Sequence, residues 1–415
     1  MHATVDAYER THGIVVQRPR AHAVDRTRAD LGARVLRFVR RGRWAALVLV
    51  FALFGCVTAA AGGSDEVRVL LHDGAGPLAV GPASATQQVT VEGDTLRVDG
   101  RDVGAQWVPD GQGPWRVGER VVRGRVVVRA ASGRIQVLNR IDLESYVAST
   151  VGGEMATSWP AEALRAQAVA TRTYVLHEAA RRRGNDWDVS ATATSQVYRG
   201  ILAERDETRA AARATRGEVL TWEGEPILAV FHSTAGGRTA TAGEVWGEDR
   251  PYLRVVDVEE EDAAPHTYWR VEFSSQDLMS ILDAAGVEVG NLEGLSVTRR
   301  TRSGRVERLE IRGGTGRIEL RGSGLRGLVS SLSLRSTLFD VRATPEGFAF
   351  VGSGFGHGVG MSQWGARALA ERGVAYPRIL ARFYPGTRLE RWSSRQIAVR
   401  DERAPAAAAG RAAGQ

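Results

Sequence analysis

Residues 139–176 read NRIDLESYVASTVGGEMATSWPAEALRAQAVATRTYVL, and this stretch decides the fold. It passes from a strand pattern into two helices joined by a short polar break. Asp142 is placed to cap the first helix, with Leu143, Tyr146, Val147 and Val151 along one side. Gly152-Gly153 is expected to stop that helix, which leaves Glu154 just past its end. Ser158, Trp159 and Pro160 open a longer helix that runs to about Arg183, where a run of arginines complements the C-terminal dipole and Gly184 ends it. Gln167, Thr171 and Tyr174 share one face of this helix at i, i+4 and i+7.

Upstream, residues 65–141 read as short strands with turn punctuation: VRVLL, QQVTVE, TLRVDG, RVVVRA and RIQVLNRI. Downstream, a helix over 204–216 ends at Gly217. VLTW, a turn at Glu223-Gly224 and PILAVFHS then predict a hairpin whose second strand delivers His232 into the loop STAGG. Residues 252–345 form a mixed, Arg- and Gly-rich insertion with a helix near 275–285. The last ordered unit is the strand FAFVGSGFGHGVG followed by helices MSQWGARALAERG and YPRILARFYPG, and 400–415 is a low-complexity, disordered tail. The fold class is α+β, with mixed short β-sheets and several helices. A β-rich part over 65–141 precedes the main domain over 142–391.

The 415 residues are 43% hydrophobic and 25% charged, which rules out wholesale disorder and a collagen-like chain. All 55 basic side chains are Arg, so Schiff-base lysine chemistry and a Walker A lysine are excluded. Cys56 is the only cysteine, so no intrachain disulfide, thiolate zinc cluster or iron-sulfur site can form. Residues 1–43 hold ten Arg against four acids, a basic cytoplasmic leader, and the remainder holds 45 Arg against 44 acids. The folded part is therefore close to neutral, which removes the case for nucleic-acid binding.

Residues 44–64 carry no charge, 45–54 are apolar throughout, and Arg37, Arg40, Arg41 and Arg43 stand just before them. This is the pattern of a signal or anchor segment, which places the rest of the chain outside the cytoplasm. Three fates stay open: a retained membrane anchor, cleavage near Ala59, Ala60 and Ala61 to a secreted protein, or a lipid tether on Cys56 in the lipoprotein-box-like Leu53-Phe54-Gly55-Cys56.

No G-x-S-x-G elbow occurs, and His177-Glu178 lacks a second His at i+4, so serine hydrolase and zincin readings fail. Glycines 352, 354, 356, 358 and 360 keep period 2, which does not match a dinucleotide fingerprint. An extended chain with that period has one bare face, open to a neighbouring element or to a glycan. Glu154 has two readings. A Glu at a helix stop is commonly a solvated loop residue. Flanked by apolar Met155 and Trp159, it is instead a carboxyl whose pKa rises toward neutrality and which serves as a general acid.

Four blocks resemble, in order and spacing, the SpoIID/LytB family of stage II sporulation protein D and the amidase enhancers. They are the stretch quoted above, SQVYRG, ATRGEVLTWEGEPILAVFHSTAGGRT with VWGEDRPYL, and GFGHGVGMSQWGARALAERG with ILARFYPGT. The likeness spans about residues 120–390. It implies a SpoIID-like domain built around a glycan-binding cleft, in a bacterial cell-envelope protein. It further implies a peptidoglycan lytic transglycosylase that cuts between N-acetylmuramic acid and N-acetylglucosamine, on strands stripped of stem peptides, with Glu154 as catalytic acid/base and 1,6-anhydro products. By the same resemblance Gln167, Arg172, Tyr174, Gln196, His232, Ser233, His357 and Gln363 bind substrate. Arg172 and Gln167 suit the lactyl carboxylate and N-acetyl groups, and Tyr174 or Trp159 suits a sugar face.

Some relatives place zinc-binding cysteines just before this Gln-Val-Tyr. Ser190 and Ser195 stand here, so no metal is expected, and no cofactor. The family mixes catalysts with activators, so a second function stays open: a non-catalytic peptidoglycan-binding activator of an N-acetylmuramoyl-L-alanine amidase. The expected partners are peptidoglycan glycan strands, a cell-wall amidase, and the membrane through the N-terminal segment.

Overall fold

The computed structural model describes residues 66–192, 195–259 and 261–392. The basic leader, the apolar segment over 44–64 and the tail over 400–415 lie outside the described residues. No described helix is long and apolar enough to cross a membrane. The architecture is mixed α+β, with several short sheets and, among the described residues, eight α-helices.

The N-terminal part forms two sheets. One is antiparallel, in the order Arg101–Gly104, Thr95–Val98, Gln87–Glu92, Leu78–Pro82, Trp115–Val117, Arg120–Val122. Its Val80, Val89, Leu96, Val98 and Val117 are buried, as strand alternation requires. The other pairs Glu66–Gly74, Arg134–Asp142 and Arg125–Ala131, and takes Val189–Ser190 as a parallel edge strand.

Arg134–Asp142 runs straight into helix α1 (Leu143–Glu154), where Asp142 accepts the Ser145 N–H at 2.9 Å as the expected N-cap. Gly152 and Gly153 do not stop α1; they form its last turn. A β-carbon on Gly152 would stand 2.0 Å from the Ala203 carbonyl oxygen, and one on Gly153 2.1 Å from that of Val197. The pair is a contact surface, where neighbouring backbone lies closer than any side chain allows. The helix ends at Met155, whose extended backbone still donates to Val151 at 2.9 Å.

Helix α2 (Ala161–Arg181) follows, with Pro160 at its N-cap rather than inside its first turn. Thirteen of its 21 residues are buried, which explains its alanine content: neighbouring elements cover it on most sides. Helix α3 (Asp206–Ala214) is shorter than 204–216 because Ile201–Ala203 forms a 3-10 turn and Arg205 takes the N-cap. The hairpin is also shorter than expected. On its hairpin side Glu218–Trp222 pairs with just Glu225–Pro226, around left-handed Glu223 and Gly224, and Pro226 has no N–H to extend the ladder; the other edge of Glu218–Trp222 pairs with Arg388–Arg391. Phe231–His232 instead pairs parallel with Met361–Ser362.

After helix α4 (Ala242–Trp246) the chain builds a second hydrophobic core around Trp269, Leu278, Leu309 and Phe350. It comprises the sheets Tyr268–Ser274/Gly347–Ser353/Phe339–Ala343 and Leu292–Arg300/Val306–Gly313/Gly316–Arg321, with helices α5 (Ser275–Ala284) and α6 (Gly322–Ser331). The main core resumes at Val359, under helices α7 (Gln363–Glu371) and α8 (Tyr376–Phe383). Between the two, Gly352 still belongs to the strand Gly347–Ser353, but the glycine run beyond it is not extended. Gly354, Gly356, Gly358 and Gly360 have φ of 77°, 106°, 80° and 73°, so the segment is a series of turns. Protein fills the space beside them: the Ala235 backbone at Gly354, His232 at Gly356, Arg305 at Gly358 and the Val230 carbonyl at Gly360.

Candidate active site

Glu154 is the last residue of α1, half-buried, with Oε1 accepting the Val197 N–H at 2.6 Å. Because Gly153 lets the Val197 backbone lie against the helix end, the same glycine that mattered for packing brings this donor to the carboxyl. Burial raises the Glu154 pKa to about 6, against the opposing pull of the Val197 N–H, the Gln363 amide and the Arg199 charge. The negative end of the α1 dipole acts in the same direction as burial. About a tenth of the molecules then hold this proton at pH 7.

Gln363 and Gln167 meet beside it. Gln363 Nε2 donates to the Glu154 carbonyl at 3.4 Å and to Gln167 Oε1 at 3.5 Å, and Gln167 Nε2 donates to Thr171 Oγ1 at 3.2 Å. Ser362 fixes Gln363 by capping α7 through the Gly365 N–H at 3.1 Å. Gln196 is buried one residue before the donor Val197. Its Oε1 accepts the Tyr146 hydroxyl at 2.8 Å, and its Nε2 has no partner among the described residues.

A groove of about 830 Å³ opens next to this end of α1. Gly152 and residues 155–158 form one wall, Arg199, Leu202 and Arg205 another, and Leu71, Leu78 and Arg120 of the N-terminal sheets a third. Leu202 is 62% exposed on its rim. Trp159 packs edge-on against Trp364, ring centroids 4.9 Å apart, with the Arg367 guanidinium over both rings.

His232 and His357 form a second cluster, their ring centroids 5.6 Å apart. Val359 sets both tautomers. Its carbonyl takes the proton of His232 Nδ1 at 3.0 Å, and its N–H donates to His357 Nδ1 at 3.0 Å. Burial, and then the neighbouring Arg305 charge, lowers the His357 pKa to about 4; burial, His357 and Arg305 push that of His232 well down. Both rings are neutral at physiological pH. Ser233 is half-buried, its carbonyl accepting the Trp364 N–H at 3.1 Å.

Two expected substrate ligands lie elsewhere. The Arg172 guanidinium is fully buried and paired with Glu144 at 2.5 Å, with further bonds to the Ala212 and Glu218 carbonyls. Tyr174 is buried in the main core. A helix covered on most sides has no free face to present, so the i, i+4, i+7 reading does not assign a cleft. Glu144 and Glu162, the acids nearest Glu154 in sequence, are both engaged: Glu144 with Arg172, Glu162 with Arg165 and the Tyr376 N–H. Ser190 and Ser195 hydrogen-bond to one another, Oγ to Oγ at 3.3 Å. Among the described residues no three His, Cys, Asp or Glu side chains are grouped to hold a metal.

Two residues of the insertion matter that sequence reasoning passed over. Glu261 is buried and accepts the Ala235 and Gly236 N–H groups at 2.8 and 2.9 Å and the Ser362 hydroxyl, so it ties the STAGG loop to the cap of α7. Burial raises its pKa. Arg305, 2% exposed, donates to the Ala235 and Arg238 carbonyls at 3.1 and 3.3 Å, and burial lowers its pKa to about 10.

The model of the SpoIID family, stage II sporulation protein, matches residues 131–222, which include Glu154 and Val197. Stage II sporulation protein D of Bacillus amyloliquefaciens is 32% identical over 267 residues, covering 60% of this chain and 74% of the relative. The chain belongs to the SpoIID family. Stage II sporulation protein D of Bacillus subtilis (strain 168) is 30% identical, covering 61% of this SpoIID-family chain and 76% of the relative. The amidase enhancer of Bacillus subtilis (strain 168) is also 30% identical, over 58% of this chain and only 39% of the enhancer. Residues 257–360, which carry Glu261, Arg305 and His357, match a domain of unknown function (DUF8618).

Proposed function

We propose that this SpoIID-family chain is a lytic transglycosylase of the bacterial cell envelope, acting outside the cytoplasm on peptidoglycan glycan strands stripped of stem peptides. The observation that carries the reading is Glu154, a half-buried carboxyl raised to about 6 and held by one backbone donor, at a helix end whose Gly152 and Met155, though not Glu154 itself, line an open groove. Its protonated form donates to the oxygen bridging N-acetylmuramic acid and N-acetylglucosamine, and that C–O bond breaks. The carboxylate left behind accepts the proton of the muramic acid 6-hydroxyl as its oxygen bonds to C1. The acid is restored, the ring is closed as a 1,6-anhydro sugar, and water takes no part.

One carboxyl suffices for this sequence of steps. A hydrolase of the usual kind needs a second carboxylate about 5 to 9.5 Å away, and Glu144 and Glu162 are engaged elsewhere. Gln363 supplies a neutral amide for an N-acetyl group and steadies the acid, and the fully buried Gln167 holds Gln363 in place. Export through residues 44–64 delivers the chain to its substrate.

The amidase enhancer among the relatives favours a second reading, a glycan-binding activator of an N-acetylmuramoyl-L-alanine amidase. Glu154→Gln separates the two. Loss of strand cleavage with the fold intact supports the enzyme, whereas stimulation of an added amidase that survives the substitution supports the activator.

A further inference from the structure

The groove lined by Gly152 and Met155, the neighbours of Glu154 at the end of α1, carries positive charge that the cleavage step does not use. Arg120, Arg199 and Arg205 line it, against the single acid Glu119. Arg120 and Arg205 are anchored by carbonyls, of Leu71 at 3.1 Å and of Leu202 and Glu204 at 2.9 Å each, and neither forms an ion pair among the described residues. Nearby Arg123 and Arg209, in contrast, are ion-paired, Arg123 with Glu204 and Arg209 with Asp206 and Glu204. Arg199 is exposed, makes no hydrogen bond or ion pair among the described residues, and is close enough to Glu154 for its charge to act on that carboxyl.

We propose that this groove is a carboxylate subsite, in which Arg199, Arg120 and Arg205 receive the lactyl carboxylate of the muramic acid ring at the cleavage point. The inference rests on the glycan-cleaving reading and names the group that selects the strand. A carboxylate can also come from a stem peptide. The lactyl group, however, sits on the same sugar whose C1 reacts, so its anion falls within a ring's width of the acid, on whose carboxyl the Arg199 charge acts. Peptide carboxylates lie farther out on a flexible chain.

Attachment of a stem peptide turns the lactyl carboxyl into an amide and removes its charge, so the same arginines discriminate against peptide-bearing strands. Guanidinium groups already bonded to backbone carbonyls are fixed in place and lose little entropy on binding an anion. Arg120 comes from the N-terminal β-rich part, outside both matched segments, so the selectivity is set partly by residues the family model does not cover.

The test reads binding, in the full chain carrying Glu154→Gln so that nothing is cut. Stripped strands, stripped strands with their carboxylates converted to methylamides, and peptide-bearing strands are compared. Stripped strands should bind about tenfold or more tightly than methylamidated ones, the worth of one charge-assisted hydrogen bond. Adding Arg199→Gln or Arg205→Gln should erase that preference without weakening binding of the methylamidated strands. Equal binding of all three strands overturns the proposal, as does a preference that survives both substitutions. Arginine-dependent binding of peptide-bearing strands as tight as that of stripped ones assigns the site to peptide carboxylates and overturns the lactyl assignment. No turnover is read, so a carboxylate preference in a chain that never cleaves strands would sink the enzyme reading alone.

Discussion

The N–H of Val197 donates to Oε1 of Glu154 at 2.6 Å, while the Val197 carbonyl fills the place where a side chain on Gly153 would stand. One residue thus holds both the acid and the helix end that bears it. Gly153→Ala would put a β-carbon 2.1 Å from a backbone oxygen, which has no rotamer to move away through. We expect a loss of about 1–3 kcal/mol, as for other overpacked sites, and a disproportionate loss of activity. Gly76→Ala, where nothing lies within 4 Å, is the control in the same denaturation and activity assays.

Glu154 should make the protein less stable at neutral pH than its amide would. Its carboxyl titrates near 6 when folded against an ordinary value of 4.5, so the folded state holds the proton more tightly. Stability is therefore full below pH 4.5, falls as pH rises through the window, and above pH 6 is lower by about 2 kcal/mol. Glu154→Gln should match wild type in melting temperature near pH 4 and exceed it at pH 7.

Under the proposed mechanism the same titration governs the rate. The step begins from the protonated acid, so kcat/KM on stripped strands should be level below pH 6 and fall by about tenfold per unit above it. A profile flat from pH 5 to 8 would mean that another group supplies the proton.

The Arg172–Glu144 pair predicts a structural effect of a different kind. Arg172 is fully buried, and removing it leaves Glu144 uncompensated. Arg172→Met should cost about 3–5 kcal/mol in urea unfolding, without changing the preference for carboxylate-bearing strands among molecules that remain folded.

Glu261 joins the insertion to the site. Glu261→Ala strips the Ala235 and Gly236 N–H groups and the Ser362 hydroxyl of their acceptor, at a cost of at least about 2 kcal/mol. Hydrogen exchange should quicken at Ala235 and Gly236 and stay unchanged in the six-stranded N-terminal sheet.

What was legible in the sequence depended on how local its cause is. The Asp142 cap and α5 follow from neighbouring residues alone, and both stand where expected. Gly152-Gly153 looks like a helix stop because its true role is set by Val197 and Ala203, more than forty residues away. The period-2 glycines read as a strand because left-handed turns at alternate positions leave the same spacing. Arg172 and Tyr174 share the site's helix, but nothing in α2 says that it is covered on most sides. Glu261 lies in the acidic run EEED, which reads as a solvated surface, and Arg305 is one arginine among 55 basic residues; only the fold singles them out.

In the proposed reaction Glu154 alone moves the proton, and the muramic acid 6-hydroxyl, not water, closes the ring. Mass spectrometry of the products from stripped glycan strands tests it most directly. Wild type should yield terminal muramic residues one water lighter than hydrolysed ends, and Glu154→Gln should yield none. Ends that carry the added water, or anhydro ends that persist in Glu154→Gln, would contradict it.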